Sequence, residues 1–315
     1  MINQNYFSFI YILCGLSLFL FSLDQIKCTL SNLFTSKLKQ LISKSVNTKF
    51  KSFLFGFFCA ALIQSSSGTT ALAISLLSSK FIKPKDCLGI IIGANLGTCI
   101  TTFITAINIE YISLFIIIIS FIIYISLYKL KKYIILIIYI GIMLLGLDIL
   151  NSGFTNIINN KEIYTIIQNI QNSNILSILF GILSTAIIQS SSGIIGIVEG
   201  LYETHLTSLE SSIAIMLGAN IGTTLTGYLA IINTSKETKT IINLNLIFNI
   251  LGVVLFALFF VPFCNYIRYM QNNFFTNNLK FSIAFAHFIF NLISVILGYL
   301  LFDLFTYYIN KKELS

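Results

Sequence analysis

An all-helical polytopic membrane protein is the fold class this sequence predicts, and three observations predict it. Apolar residues fill 56% of the 315 positions and charged residues only 10%, with a mean hydropathy of +0.90. Long apolar runs such as Ile112–Leu127 and Tyr133–Leu147 have the character of membrane-spanning helices. Two polar motifs recur at one spacing inside such runs. Soluble domains carry roughly a quarter charged residues, so an ordinary cytosolic enzyme is excluded. Disorder, which needs low hydrophobicity and high charge, is excluded as well.

Taken in order, the chain reads as seven spans, at 6–24, 87–107, 111–128, 133–150, 211–232, 241–264 and 281–306. The first run lacks a basic leader and a small-residue cleavage site, so it reads as a retained span and not a signal peptide. The amphipathic stretch Leu30–Val46, with lysines on its polar face, is expected to lie along the inner surface. Two further apolar stretches, 52–79 and 176–202, are each interrupted midway by Gln-Ser-Ser-Ser-Gly. Their arms are too short to cross a hydrocarbon core of roughly 30 Å alone. Each is therefore a broken span or a hairpin that enters and leaves on one face. The six cysteines form no CxxC pair and read as small buried thiols, not a disulfide framework or metal site.

Charge separates the two readings of the interrupted stretches. With both as re-entrant hairpins, only Lys161, Arg268 and Lys280 of the 19 basic residues fall outside. Single crossings split the basic residues almost evenly, which the positive-inside rule disfavours. The predicted topology is seven spans plus two hairpins, N-terminus outside and C-terminus inside. The net charge of +8 becomes a topology signal spread over many loops, and no nucleic acid is expected as a partner.

The motifs form an internal repeat. Gln64-Ser65-Ser66-Ser67-Gly68 returns as Gln189-Ser190-Ser191-Ser192-Gly193. Gly93-Ala94-Asn95-Leu96-Gly97-Thr98 returns as Gly218-Ala219-Asn220-Ile221-Gly222-Thr223, and Gly56 as Gly181, all at the same 125-residue offset. The topology gives the copies opposite orientation. Inverted repeats with broken helices are the mark of secondary transporters. This predicts repeat one at 1–132 (hairpin 52–79), repeat two at 133–264 (hairpin 176–202), and an additional transmembrane helix with a short tail at 265–315.

Unpaired backbone is intolerable in lipid, so each break must face protein or a water-filled cavity. A hairpin tip offers amides at the start of its second arm, which attract anions. It also offers carbonyls and hydroxyls, the hard oxygen ligands a sodium ion requires. Ser65, Ser66, Ser67, Thr69 and Thr70 supply hydroxyls in copy one, and Ser190, Ser191 and Ser192 in copy two. Gln64 and Gln189 can donate and accept across the pseudo-twofold axis. Asn95, Thr98, Asn220, Thr223 and Thr224 carry polar groups towards the tips.

Paired QSSS hairpins, each followed by a GANIGTT-like helix, resemble the sodium/phosphate symporter family, the type II Na/Pi cotransporters and their bacterial relatives. Asn245-Leu-Ile-Phe-Asn249 and Ala286-His287-Phe-Ile-Phe-Asn291 resemble the family's AHxxFN pattern. The resemblance covers roughly 7–300 and implies sodium-coupled symport of inorganic phosphate by alternating access in the cell membrane. It implies phosphate at Gln64, Ser65, Ser66, Ser67, Gln189, Ser190, Ser191 and Ser192. Sodium falls among Ser66, Thr69, Thr70, Asn95, Thr98, Ser191, Asn220, Thr223 and Thr224. Sodium is the coupling ion, with no cofactor and no catalytic residue. A homodimer is left open, as is a separate PhoU-like regulator, since no such domain follows the last span. Copy one has Cys99 where copy two has Thr224, and copy two has Ile194-Ile195 where copy one has Thr69-Thr70.

Other readings stay on the table at this point. A sodium- or proton-coupled transporter, or a pore, for sulfate or a carboxylate would use the same amide-rich tips. An intramembrane Lys or Arg facing the cavity would favour it, and the span assignment shows none. An intramembrane hydrolase using Ser191 and His287 lacks a glycine-elbow context. Asp24 and Asp148 are expected to end their spans, and Asp303 to lie near an inner boundary. Glu199, in the second arm of hairpin two, is either a cation or proton site or an outer-rim residue. His287 is expected to be a satisfied polar contact.

Overall fold

The computed structural model describes residues 2–46, 48–107, 112–127, 130–157, 161–229 and 236–313, and all regular structure among them is helical. In chain order the helices are α1 (Ile2–Ser45), α2 (Lys49–Ile63), α3 (Ser66–Ser78), α4 (Pro84–Gly97), α5 (Cys99–Thr105), α6 (Ile112–Ser126) and α7 (Lys131–Ile157). They continue as α8 (Lys161–Gln171), α9 (Asn174–Ile188), α10 (Ser191–Glu203), α11 (Leu209–Leu229), α12 (Lys236–Leu258), α13 (Phe260–Phe274) and α14 (Leu279–Glu313).

Five helical stretches are long and apolar enough to cross a membrane: Phe7–Leu33, Pro84–Thr105 (α4 with α5), Lys131–Thr155, Thr238–Leu258 and Leu279–Tyr307. The pair α8 and α9, bent by 107°, makes a sixth if counted as one span. Phe115, Ile118 and Ile122 on α6, and Ile175, Leu183 and Ile187 on α9, are exposed. So much uncovered apolar surface is the face a bilayer would solvate. The chain is a multi-pass membrane protein.

The element boundaries differ from expectation in several places. The predicted span 111–128 is seen as fifteen described residues of α6, its first and last positions lying outside the described residues. The predicted span 211–232 corresponds to α11, rich in Ser, Gly, Asn and Thr, with 230–232 outside the described residues. The predicted 241–264 ends as one helix at Leu258, and α13 begins at Phe260. The region 265–315 therefore holds part of α13 as well as α14. Leu30–Val46 is not a separate surface helix. No glycine or proline interrupts 24–45, and α1 runs unbroken to Ser45. Asp24 and Asp148 consequently lie inside helical spans and do not end them.

Helix bounds recur at the offset of the motifs. The bounds of α9 and α10 are those of α2 and α3 moved by 125 residues. The four non-glycine residues with positive φ, Gln64 (54°), Lys80 (59°), Gln189 (59°) and His205 (58°), fall into two pairs at the same spacing. Close helix contacts recur too. A Cβ added at Gly56 would lie 2.0 Å from the Ile90 carbonyl oxygen, and one at Gly181 2.1 Å from that of Ile215. Gly93 and Gly218 meet the carbonyls of Phe53 and Ile178 at 2.1 and 2.0 Å. Only hydrogen fits there, so small residues let α2 seat on α4 and α9 on α11.

Three buried clusters hold the assembly. Phe53, Ile90, Phe248 and Phe302 join α2 and α4 to α12 and α14. Ile195, Met216, Phe256 and Phe290 join α10 and α11 to α12 and α14. Phe19, Leu23, Met143 and Leu147 join α1 to α7.

Candidate functional site

Each Gln-Ser-Ser-Ser motif is a helix end followed at once by a helix start. Gln64 caps α2 in the left-handed conformation, and Gln189 does the same for α9. This turn lets the next helix begin within two residues. Ser65 then caps α3, its Oγ accepting from the Gly68 amide at 3.0 Å. Ser190 caps α10, accepting from the Gly193 amide at 3.2 Å. One side-chain acceptor satisfies one of the several free amides at a helix start. The Thr69 and Ile194 amides, a residue further on, donate to the carbonyls of Ser65 and Ser190, both at 3.1 Å.

The two tips meet. Gln64, Ser65, Ser66, Ser67, Gln189, Ser190, Ser191 and Ser192 line one small cavity, joined by Thr98, Thr223 and Lys27. All eight residues expected at phosphate are therefore together. The tips are not equivalent, for Gln64 is buried and Gln189 exposed.

The expected sodium set divides. Ser66, Thr98, Ser191 and Thr223 line the cavity; Thr69, Thr70, Asn95, Asn220 and Thr224 do not. Thr98 Oγ1 donates to the Asn95 carbonyl at 2.8 Å and Thr223 Oγ1 to the Ala219 carbonyl at 3.0 Å. These back-bonds use the hydroxyl proton, and a hydroxyl oxygen so placed can still accept. Thr69 bonds back to the Ser65 carbonyl at 2.9 Å. Asn95 donates to Asn249 Oδ1 on α12 at 3.3 Å, and Asn220 to the Met216 carbonyl at 2.9 Å. Those contacts brace helices.

Lys27 is the residue that sequence reasoning missed. Its Nζ donates to Ser190 Oγ at 2.9 Å, so an ammonium on α1 sits at the second Gln-Ser-Ser-Ser motif. The expectation of no intramembrane cation at the cavity is overturned. Lys27 had been counted with the inside-loop lysines because the first apolar run ends before it; α1, however, continues past it. The signal that could have found it is the absence of any glycine or proline after Leu23 to end the helix. Beside the cavity, a cleft between α1 and α9 is lined by Asp24, Lys27, Ile187, Ile188 and Ser190. Two helix starts, serine hydroxyls of both motifs and one ammonium are thus gathered at one cavity, and groups of these kinds are ones that hold oxyanions.

The remaining polar candidates fall elsewhere. Asp303 is exposed and pairs with Lys49 at 3.4 Å. Glu199, four residues before the end of α10, is fully buried within the protein. His287 is fully buried, with Nδ1 3.3 Å from Thr102 Oγ1 and Nε2 without a partner, so it is only half satisfied. Lys280, expected outside, is buried and pairs with Glu203 at 2.7 Å. Among the described residues, no group of three or more His, Cys, Asp or Glu could hold a metal ion.

Comparison with known proteins places the chain in a family. The uncharacterized Bacillus subtilis protein YqeW is 27% identical over 245 residues, covering 75% of this chain and 78% of that protein. The Salmonella typhimurium protein YjbB, whose name proposes it as an inorganic phosphate export protein, is 23% identical over 261 residues. That match covers 81% of this chain but 48% of YjbB, so the chain spans about half of that relative's length. Human sodium-dependent phosphate transport protein 2B is 35% identical over 83 residues, 26% of this chain and 12% of its own. No solved structure matches. The profile of the Na+/Pi-cotransporter family matches twice, at residues 18–152 and 142–292, each match holding one of the two hairpin tips. The chain thus belongs to the Na+/Pi-cotransporter family, a family of transporters and not of enzymes.

Proposed function

We propose that this protein moves inorganic phosphate across the cell membrane, coupled to sodium, by alternating access. The observation that carries the reading is the meeting of both Gln-Ser-Ser-Ser tips, 125 residues apart in sequence, around one cavity with Lys27. The amides opening α3 and α10 and the serine hydroxyls of both tips hold the phosphate oxygens, and the Lys27 ammonium offsets part of the anion's charge. Hydroxyl oxygens of Ser66, Thr98, Ser191 and Thr223 serve the sodium ion. Asn95 ties α4 to α12 through Asn249, while Thr69, Asn220 and Thr224 bond back to carbonyls of their own helices.

The two copies, 1–132 and 133–264, have inverted topology, with 52–79 and 176–202 as hairpins entering from opposite faces, N-terminus outside and C-terminus inside. Rocking or sliding of the hairpin core against the other helices opens the shared cavity to one side at a time. The relatives' names point both ways, to phosphate export and to sodium-dependent transport, so efflux is the second reading of direction. By the criterion set from the sequence, Lys27 on the cavity wall favours transport of sulfate or a carboxylate, which is therefore the second reading of substrate.

The test is uptake of radiolabelled phosphate into proteoliposomes, with an inward sodium gradient against choline and with excess sulfate as competitor. Sodium-dependent uptake that sulfate leaves intact is expected. Sodium-independent uptake would remove the coupling ion, and uptake blocked by sulfate would remove phosphate selectivity.

A further inference from the structure

On α10, two turns beyond the second tip, the apolar sequence is broken by Glu199. Seven residues of helix place it about 10 Å along the axis from Ser192. Its side chain is fully buried. Oε2 accepts from Thr105 Oγ1 on α5 at 2.7 Å, while Oε1 has no partner. Intramembrane carboxyls are rare and costly unless neutralised. An ionised carboxylate half satisfied by one hydroxyl does not meet that requirement.

The surrounding elements do not neutralise it. On α14, Lys280 lies within electrostatic reach of Glu199, but Glu203, the next acid on α10, holds its Nζ at 2.7 Å. Also on α14, His287 is turned to Thr102 through Nδ1. From α5 and α7 come the neutral Thr101, Thr105 and Asn151. Asn151 Nδ2 donates to Glu203 at 2.9 Å. The acid of α11, Glu210, is paired with Arg268 of α13. On α9, residues 174–188 hold no titratable side chain. Two further polar atoms in this region, Thr101 Oγ1 and His287 Nε2, are buried without partners.

The first copy has nothing comparable. At the position 125 residues earlier stands Ile74, buried in a small apolar cluster with Ile242 and against Tyr228. A carboxyl appears in one copy alone, with polar groups arranged around it. Packing symmetry alone gives no reason for that.

We propose that Glu199 is an ion site in its own right, binding one monovalent cation, a proton or a sodium ion, whose loading allows α10 to remain docked between α5 and α14. Unloaded, the carboxylate favours a state in which it reaches water, and because α10 is one rigid helix that displacement is delivered to the Ser190–Ser192 tip. The existence of the ion site stands apart from the phosphate reading; its coupling to transport rests on that reading.

The experiment takes infrared difference spectra of the purified full chain, Glu199→Gln beside the parent. One pair of spectra compares acidic with alkaline buffer and the other compares sodium with choline at fixed pH. A protonated-carboxyl band that appears on acidification and is absent in Glu199→Gln identifies the proton. A carboxylate shift induced by sodium and absent in the variant identifies sodium. No Glu199-dependent change in either pair overturns the proposal. Should Glu199→Gln fail to fold, Glu199→Asp keeps the charge on a shorter stem, and its band must move to a different pH or sodium midpoint; an unchanged midpoint overturns the proposal equally. In proteoliposomes, phosphate-driven proton flux (trapped pH dye) or labelled sodium flux is expected to fall at least about tenfold in Glu199→Gln while phosphate exchange persists. Flux per phosphate equal to the parent's refutes the coupling. If the parent itself exchanges no phosphate while the spectra show Glu199 loading, the transport reading fails and the ion site stands.

Discussion

Replacing Lys27 separates anion binding from folding more cleanly than any other substitution in this protein. The ammonium stands 2.9 Å from Ser190 Oγ on the cavity wall, where an oxyanion held by the α10 amides would meet it. A hydrogen bond to a charged group contributes about 1.5–3 kcal/mol net, and each 1.4 kcal/mol is a factor of ten in affinity. Lys27→Gln is therefore expected to weaken phosphate binding by about 10- to 150-fold. Lys27→Arg, which keeps the charge but presents a planar fork, falls between the two. The same substitution need not harm the fold. A half-buried cation carries a desolvation cost that its partners only partly offset, so Lys27→Met is expected to unfold at the same temperature as the parent or higher. The assay is equilibrium binding of labelled phosphate to the purified protein, with thermal unfolding measured on the same samples. Binding by Lys27→Gln within about twofold of the parent would refute the argument, as would weakened binding that merely tracks loss of folded protein.

Three further outcomes follow from the geometry. Gly56→Ala and Gly181→Ala each drive a methyl to within 2.0 and 2.1 Å of a carbonyl oxygen, so each is expected to destabilise by about 1–3 kcal/mol and to lower the unfolding temperature alike; a lone effect in one copy would contradict the matched packing. Glu203→Gln leaves Lys280 buried without its carboxylate and is expected to cost about 3–5 kcal/mol, with much of the loss recovered in the double variant Glu203→Gln, Lys280→Met, as thermal unfolding will report. Gln64→Ala and Gln189→Ala keep a non-glycine residue at the left-handed position and so retain folded protein, but labelled phosphate uptake is expected to vanish; normal uptake by both would remove the glutamines from the site.

Much of the architecture is legible before any coordinates because its causes are local or periodic. Apolar runs of spanning length mark helices wherever they occur, and the 125-residue offset survives in the identity of Gly, Gln and Ser residues that close contacts and tight breaks require. The joining of the two tips follows from that duplication. Other details depend on neighbours that no local pattern names. The rotation of α3 decides that Ser66 lines the cavity while Thr69 turns into the helix and bonds to Ser65. Asn95 resembles an ion ligand by type, yet α12 supplies Asn249 to receive it.

Lys27 and Glu199 show the division most sharply. By composition alone, hydropathy marks this chain as a membrane protein, and its motifs mark two repeated helix breaks, because both signals reside in stretches of a few to twenty residues. A lysine beyond the first apolar run looks like a loop charge until α1 is seen to continue and to carry it to Ser190, 163 positions away. A glutamate in an apolar arm gives no sign of being sealed from solvent until α5 is seen to close over it. Burial is the sum of contacts from distant segments, so only the tertiary structure decides which charges are withdrawn from water and therefore which ones require a partner.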